Sequence, residues 1–156
     1  MNMASATTTQ PSKHASREEE EIRALVADWS TALEAKDAVG LAANCAPDVL
    51  LYDVKPPYQI KGADAYRSMW EKCLPYFPEK FKTERRDLRI AVDGDVAFMH
   101  CLHHIKPEKA HPAAETWMRV TVCYRKIDGK WKSVHEHVSV PFDPRSGKVS
   151  FITNPE

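Results

Sequence analysis

The chain has 156 residues, 43% of them apolar, with 22 basic and 22 acidic side chains. That length carries one domain with a single core, burying roughly two-thirds of its unfolded surface. The balanced, scattered charge lacks the footprint of a nucleic-acid binder, and no apolar run approaches the ~20 residues that span a bilayer.

The N-terminus also lacks the basic-then-apolar layout of a signal peptide, so a cytoplasmic protein without membrane partners is expected. Cys45, Cys73, Cys101 and Cys123 are widely spread with no C-x-x-C pair, which reads as free thiols rather than a zinc or redox motif. The first fifteen residues, rich in Ser and Thr and poor in anything that could be buried, predict a disordered tail, leaving residues 16–156 as one domain.

Ser16 to Glu19 matches a capping box, and Ile22, Leu25, Val26, Trp29, Ala32 and Leu33 then recur at helical steps. This helix should end near Lys36. Asp37 can cap a short second helix, Val39 to Ala46, which Pro47 stops. Val49 to Val54 reads as a strand, broken by Pro56-Pro57, with a brief extended piece at Tyr58 to Lys61. Gly62 opens a third helix carrying Ala65, Met69 and Trp70 on one side, ended by Pro75 and Pro78.

Beyond Phe81 the pattern becomes extended. Arg86 to Val92 and Val96 to Ile105 form a hairpin about Asp93-Gly94, and Thr116 to Ile127 and Lys130 to Val140 form another about Asp128-Gly129. Lys106 to Glu115 reads as a loop, and Val149 to Thr153 as a short last strand. Three helices followed by long antiparallel strands predict an α+β domain.

The stretches DVLLYDVKPPYQIKGADAYRSMW and RKIDGKWKSVHEHVSVPFD, in this order of elements, resemble the SnoaL-like, ketosteroid-isomerase-like branch of the nuclear transport factor 2 superfamily. The resemblance covers roughly residues 18 to 145. It implies a cone-shaped, curved antiparallel sheet wrapped around the three N-terminal helices, with an internal pocket and a homodimer formed through the outer sheet face. It does not fix an activity, because this fold hosts many. The hairpin GKWKSVHEH is also similar to the association domain of calcium/calmodulin-dependent kinase II, which implies a non-catalytic ligand-binding or oligomerisation module as the alternative.

Alternate residues of a strand share a face. Uninterrupted alternation puts Trp131, Ser133, His135, His137 and Ser139 on one side, with Trp117, Arg119, Thr121 and Cys123 of the preceding strand. This side is expected to line the cavity, and the valine-rich sides to form the outer face, unless one bulge exchanges them. Catalytic candidates are then His135 or His137 as proton carrier, Arg119 as anion stabiliser and Asp53 as base or orienter. Trp117, Tyr52, Trp70 and His100 are candidate ligand contacts, although strand phase relative to the kinase hub favours His103 over His100. Trp29, Tyr66 and Trp70, on apolar helix faces, also suit a core.

Two imidazoles two residues apart could, with a third, bind zinc or iron, but the glutamate that a cupin places shortly afterwards is absent, and no metal is expected. The aspartate–tyrosine–acid set of ketosteroid isomerases does not map residue by residue. The His, Tyr and Asp inventory resembles scytalone dehydratase more closely, without a motif match. The expected function is a cofactor-independent lyase or isomerase, or a binder, for a small carbonyl or carboxylate compound.

Overall fold

The structure, a computed structural model, describes residues 15–156; the tail predicted for residues 1–15 lies, except for its last residue, outside them. Helix α1 (Arg17–Glu34) starts at the expected capping box: Glu19 N–H donates to Ser16 Oγ and Ser16 N–H to the Glu19 carboxylate, each at 3.1 Å. Two orphan amides are thereby satisfied. Its face of Ile22, Val26, Ala32 and Leu33 is buried. Asp37 caps α2 (Ala38–Ala42) by accepting from Gly40 N–H at 3.0 Å. Gly40 fits because a Cβ there would meet Asp37 Oδ2 at 2.5 Å.

Strand β1 (Cys45–Tyr52) begins earlier than Pro47 suggested, because the proline falls where pairing is already irregular, between Cys45 and Leu50. A two-residue β2 (Ile60–Lys61) and helix α3 (Ala63–Cys73) follow. The long strands are β3 (Phe81–Asp93), β4 (Val96–Pro107), β5 (Met118–Ile127) and β6 (Lys130–Ser139). Both Asp-Gly hairpins form, with Asp128 and Gly129 at positive φ. The loop expected from Lys106 onward is shorter: β4 runs to Pro107, and Pro112–Ala114 make one 3-10 turn.

These strands form a six-stranded sheet in the order β2-β1-β6-β5-β4-β3, antiparallel except for the β1–β6 pair. The sheet curves over the helices, the α+β architecture expected from the sequence. Two short strands, β7 (Phe142–Asp143) and β8 (Lys148–Val149), pair beside it. The final segment then returns to the main sheet, where Trp117 N–H donates to the Ile152 carbonyl at 2.8 Å.

One irregularity decides the site. Tyr124 pairs with Ser133 but Cys123 pairs with His135, so Val134 is an extra residue in β6. Before it, Trp131 and Ser133 face inward; after it, Glu136 and Val138 do. The valine-rich side of β5, carrying Met118, Val120, Val122 and Tyr124, faces inward with them.

Candidate functional site

Between the concave sheet face and α1 and α3 lies a cavity of about 420 Å³. Its walls are mostly apolar and aromatic, with Trp29, Tyr66, Trp70, Phe77, Met99 and Val122 prominent. Exposed residues among its lining, Val54, Pro112, Val149 and Phe151, mark its open end. Apolar walls with a few convergent polar groups are the ordinary makeup of a small-molecule site.

The bulge overturns most of the expected lining. His135 and His137 stand on the outer sheet face: His135 Nδ1 contacts the Leu50 carbonyl at 2.8 Å, His137 is exposed, and the Tyr52 ring meets both edge-on. Arg119 is exposed on the same face, its Nε donating to Ser139 Oγ at 3.1 Å. His100 is exposed beside Phe98. Trp117 is buried, but between the His104 ring and the Arg86 guanidinium rather than against the cavity. Of the eight candidates from sequence, Asp53 and Trp70 line the cavity, while Tyr52, His100, Trp117, Arg119, His135 and His137 do not. Uninterrupted alternation failed because one inserted residue shifts the phase of β6 for everything after it.

The polar groups inside come from other positions. Trp29 Nε1–H donates to the Tyr66 hydroxyl at 3.1 Å, and that hydroxyl donates to Glu136 Oε2 at 3.1 Å. Glu136 is 9% exposed. Burial pushes its carboxyl up to about 7; the Tyr66 hydrogen bond and the Arg85 cation pull down and the Asp53 charge pushes up, each more weakly. Burial, helped by the Glu136 charge, also holds the Tyr66 phenol well above its usual range, so it remains a donor.

A second pair lines the cavity beside Trp29. Arg85 of β3 and His103 of β4 are cross-strand neighbours pointing inward. The Arg85 guanidinium donates to Ser30 Oγ and lies 5.6 Å from the Trp29 ring centroid. His103 is 5% exposed, packs edge-on to Trp29, and is driven down to about 3 by burial and by the Arg85 and His104 charges. It is therefore a neutral imidazole at any ordinary pH. Asp53, just past β1, is tied to Val54 N–H at 2.8 Å and Lys55 Nζ at 2.6 Å.

Glu136 and Arg85 were absent from the sequence-derived set. Glu136 left a signal, since it is the one acid in phase with Val138 and Val140; Arg85, inside Thr83-Glu84-Arg85-Arg86, left none. Tyr66 read as core, and His103 as the second choice to His100. Among the described residues no group of three or more His, Cys, Asp or Glu side chains is placed to hold a metal. No described helix is long and apolar enough to cross a membrane.

No curated protein matches the chain. A nuclear transport factor 2-like protein of unknown function from Pseudomonas putida KT2440 is 34% identical to it, with a TM-score of 0.82 over 88% of this chain and 96% of that one. Two more distant structures share the fold. A calcium/calmodulin-dependent protein kinase II association domain, provisionally so assigned, from Xanthomonas campestris has 23% identity, a TM-score of 0.66 and coverage of 87% and 96%. A provisionally assigned dehydratase of the same superfamily from Streptomyces avermitilis has 17% identity, a TM-score of 0.67 and coverage of 80% and 96%. The model of the SnoaL-like domain family matches residues 22–143, most of the chain, and the protein belongs to that family within the nuclear transport factor 2 superfamily.

Proposed function

We propose that the protein binds a small carbonyl or carboxylate compound in this cavity and performs cofactor-independent acid–base chemistry on it, as an isomerase or lyase. The observation that carries the reading is Glu136: a carboxyl in an apolar cavity, raised to about 7 by burial, with one protein hydrogen bond, from Tyr66. A group that titrates near neutrality can both take and return a proton. The carboxylate takes a proton from the carbon beside a carbonyl, and the C–H electron pair moves into the enolate. Returning the proton to another carbon gives isomerisation; losing a β-hydroxyl, protonated to water, gives dehydration. Both activities occur among the names of structural neighbours, a dehydratase and a ketosteroid isomerase, each provisionally assigned. Asp53, at the rim, is suited to tune the charge of Glu136, which it pushes upward.

The test is exchange of carbon-bound hydrogen in D2O, followed by NMR on a panel of small ketones and keto acids. Glu136→Gln should abolish protein-dependent exchange, and exchange at the wild-type rate in that variant would remove Glu136 from the role.

A second reading, a non-catalytic module assembled through its sheet, draws on the exposed Val96, Phe98 and Tyr52 of the outer face. A homodimer through that face fits either reading. Light scattering separates them in part: a ring of ten or more chains would favour assembly over catalysis, and tight ligand binding without turnover would sink the enzyme reading.

A further inference from the structure

Arg85 is the anomaly of the cavity. Its guanidinium is largely withdrawn from water, and burial accordingly lowers its pKa, yet it forms no ion pair with any acid among the described residues. Its neighbours are the Ser30 hydroxyl, the Trp29 ring and the Cys101 thiol, none of them a carboxylate, and its Nε–H finds no protein partner. Glu136 feels the cation but lies beyond ion-pair distance and is committed to Tyr66. A buried cation without a counter-charge is costly and is ordinarily paired.

The unmet hydrogen-bonding capacity is not confined to Arg85. His103, directly opposite on β4, leaves Nε2 without a protein partner, and so does the Trp70 indole N–H. All three residues line the cavity and all three pack around Trp29, whose ring lies 5.7 Å from that of His103 and 5.8 Å from that of Trp70. A planar fork, a neutral imidazole and an indole N–H together offer donors to an acid group. The walls beyond them are rings and aliphatic chains.

We propose that the cavity takes a carboxylic acid with an aromatic or bulky apolar body, its carboxylate received by Arg85 with His103 and Trp70 and its body lying toward Glu136. This deepens the acid–base reading and rests on it only for the placing of the reactive carbon near Glu136. The chemistry sets a sign that an apolar pocket alone would reverse. Desolvating a carboxylate is expensive, so without a resident cation the cavity would prefer the neutral amide of any acid.

The experiment is calorimetric titration of the full chain at pH 6, where Glu136 is mostly protonated, with benzoate, 3-phenylpropanoate and 2-naphthoate, each against its primary amide. At least one acid should bind tenfold or more tightly than its amide. Arg85→Gln should bring that pair within twofold, and His103→Phe should reduce the preference by a smaller factor. Amides binding as well as or better than acids throughout, or a preference unchanged in folded Arg85→Gln, would overturn the proposal. Should Arg85→Gln not fold, the acid–amide comparison on the natural chain decides alone. Glu136→Gln separates the two readings: retained acid preference without hydrogen exchange leaves the subsite standing, whereas exchange on neutral ketones with no acid preference leaves only the acid–base centre.

Discussion

The Tyr66 hydroxyl donates to Glu136 Oε2 across 3.1 Å, tying α3 to β6 over 70 residues of chain inside the cavity. Because Tyr66 in turn accepts from Trp29 of α1, three separate elements converge on one carboxyl. Packing supplies the setting and the hydrogen bond supplies the orientation.

Glu136 should therefore leave a signature in the pH dependence of stability. The folded chain holds a proton on it between the ordinary value of 4.5 and about 7, where the unfolded chain has lost it. Its contribution is full below pH 4.5 and disappears as pH rises through 7. His103 runs the opposite way: its contribution is full above 6.5 and is lost as pH falls toward about 3, so the two slopes oppose between 4.5 and 6.5. Glu136→Gln removes only the first. Urea unfolding at pH 5 and pH 8 should show the variant gaining on the natural chain by roughly 3 kcal/mol with rising pH. A pH-independent difference would contradict the raised pKa.

Tyr66→Phe removes the hydrogen bond that stabilises the carboxylate form of Glu136, and leaves the Trp29 N–H without its acceptor. The acidic limb of the proton-exchange activity, which reports deprotonation of Glu136, should move to higher pH. Stability should fall by about 1–3 kcal/mol, the cost of leaving a buried donor unmet. A pH–rate profile superimposable on the natural one would show that Tyr66 does not tune Glu136.

Substitutions on the outer face test the reversed lining directly. His137→Ala and Arg119→Ala alter exposed side chains, so ligand affinity and exchange rate should stay within about twofold, and stability within roughly 0.5 kcal/mol. Loss of turnover in either variant, with its oligomeric state by light scattering unchanged, would mean that the outer face takes part in the chemistry.

The closing segment offers a kinetic prediction. Phe151 and Val149 line the open end, held by the Trp117–Ile152 bridge and by the Arg86 guanidinium donating to the Pro155 carbonyl at 2.7 Å. Arg86→Ala should quicken release of a bound aryl acid in stopped-flow displacement while changing its association rate less, because a frayed strap opens more often. Equal dissociation rates would assign the segment no part in exit.

The sequence made α1, the two hairpins and the α+β class legible, since capping boxes, helical spacing and Asp-Gly turns are local signals. On β6 the inward face was legible only as far as Ser133, and on β5 the inward set is Met118, Val120, Val122 and Tyr124 rather than the expected Trp117, Arg119, Thr121 and Cys123. A bulge depends on how two strands pair, and nothing near Val134 announces it. Asp53 reached the cavity because it is in phase with the buried Val49 and Leu51, and Trp70 because it lies on a helix, where no strand register applies. Arg85 stayed hidden because a buried, unpaired cation among charged neighbours reads as a solvated face until the opposite strand brings His103 against it.

The single extra residue at Val134 works like a reading frame. The letters His135, Glu136 and His137 stay the same, and absorbing one residue as a bulge selects one carboxyl rather than two imidazoles for the guest. Deleting Val134 should therefore keep the lining, because Ser133, Glu136 and Val138 then alternate without a bulge, whereas straightening β6 with Val134 in place would turn His135 and His137 inward. Ligand preference should survive the deletion, and a Val134 deletion variant that loses it would show that the bulge does more than keep the phase of β6.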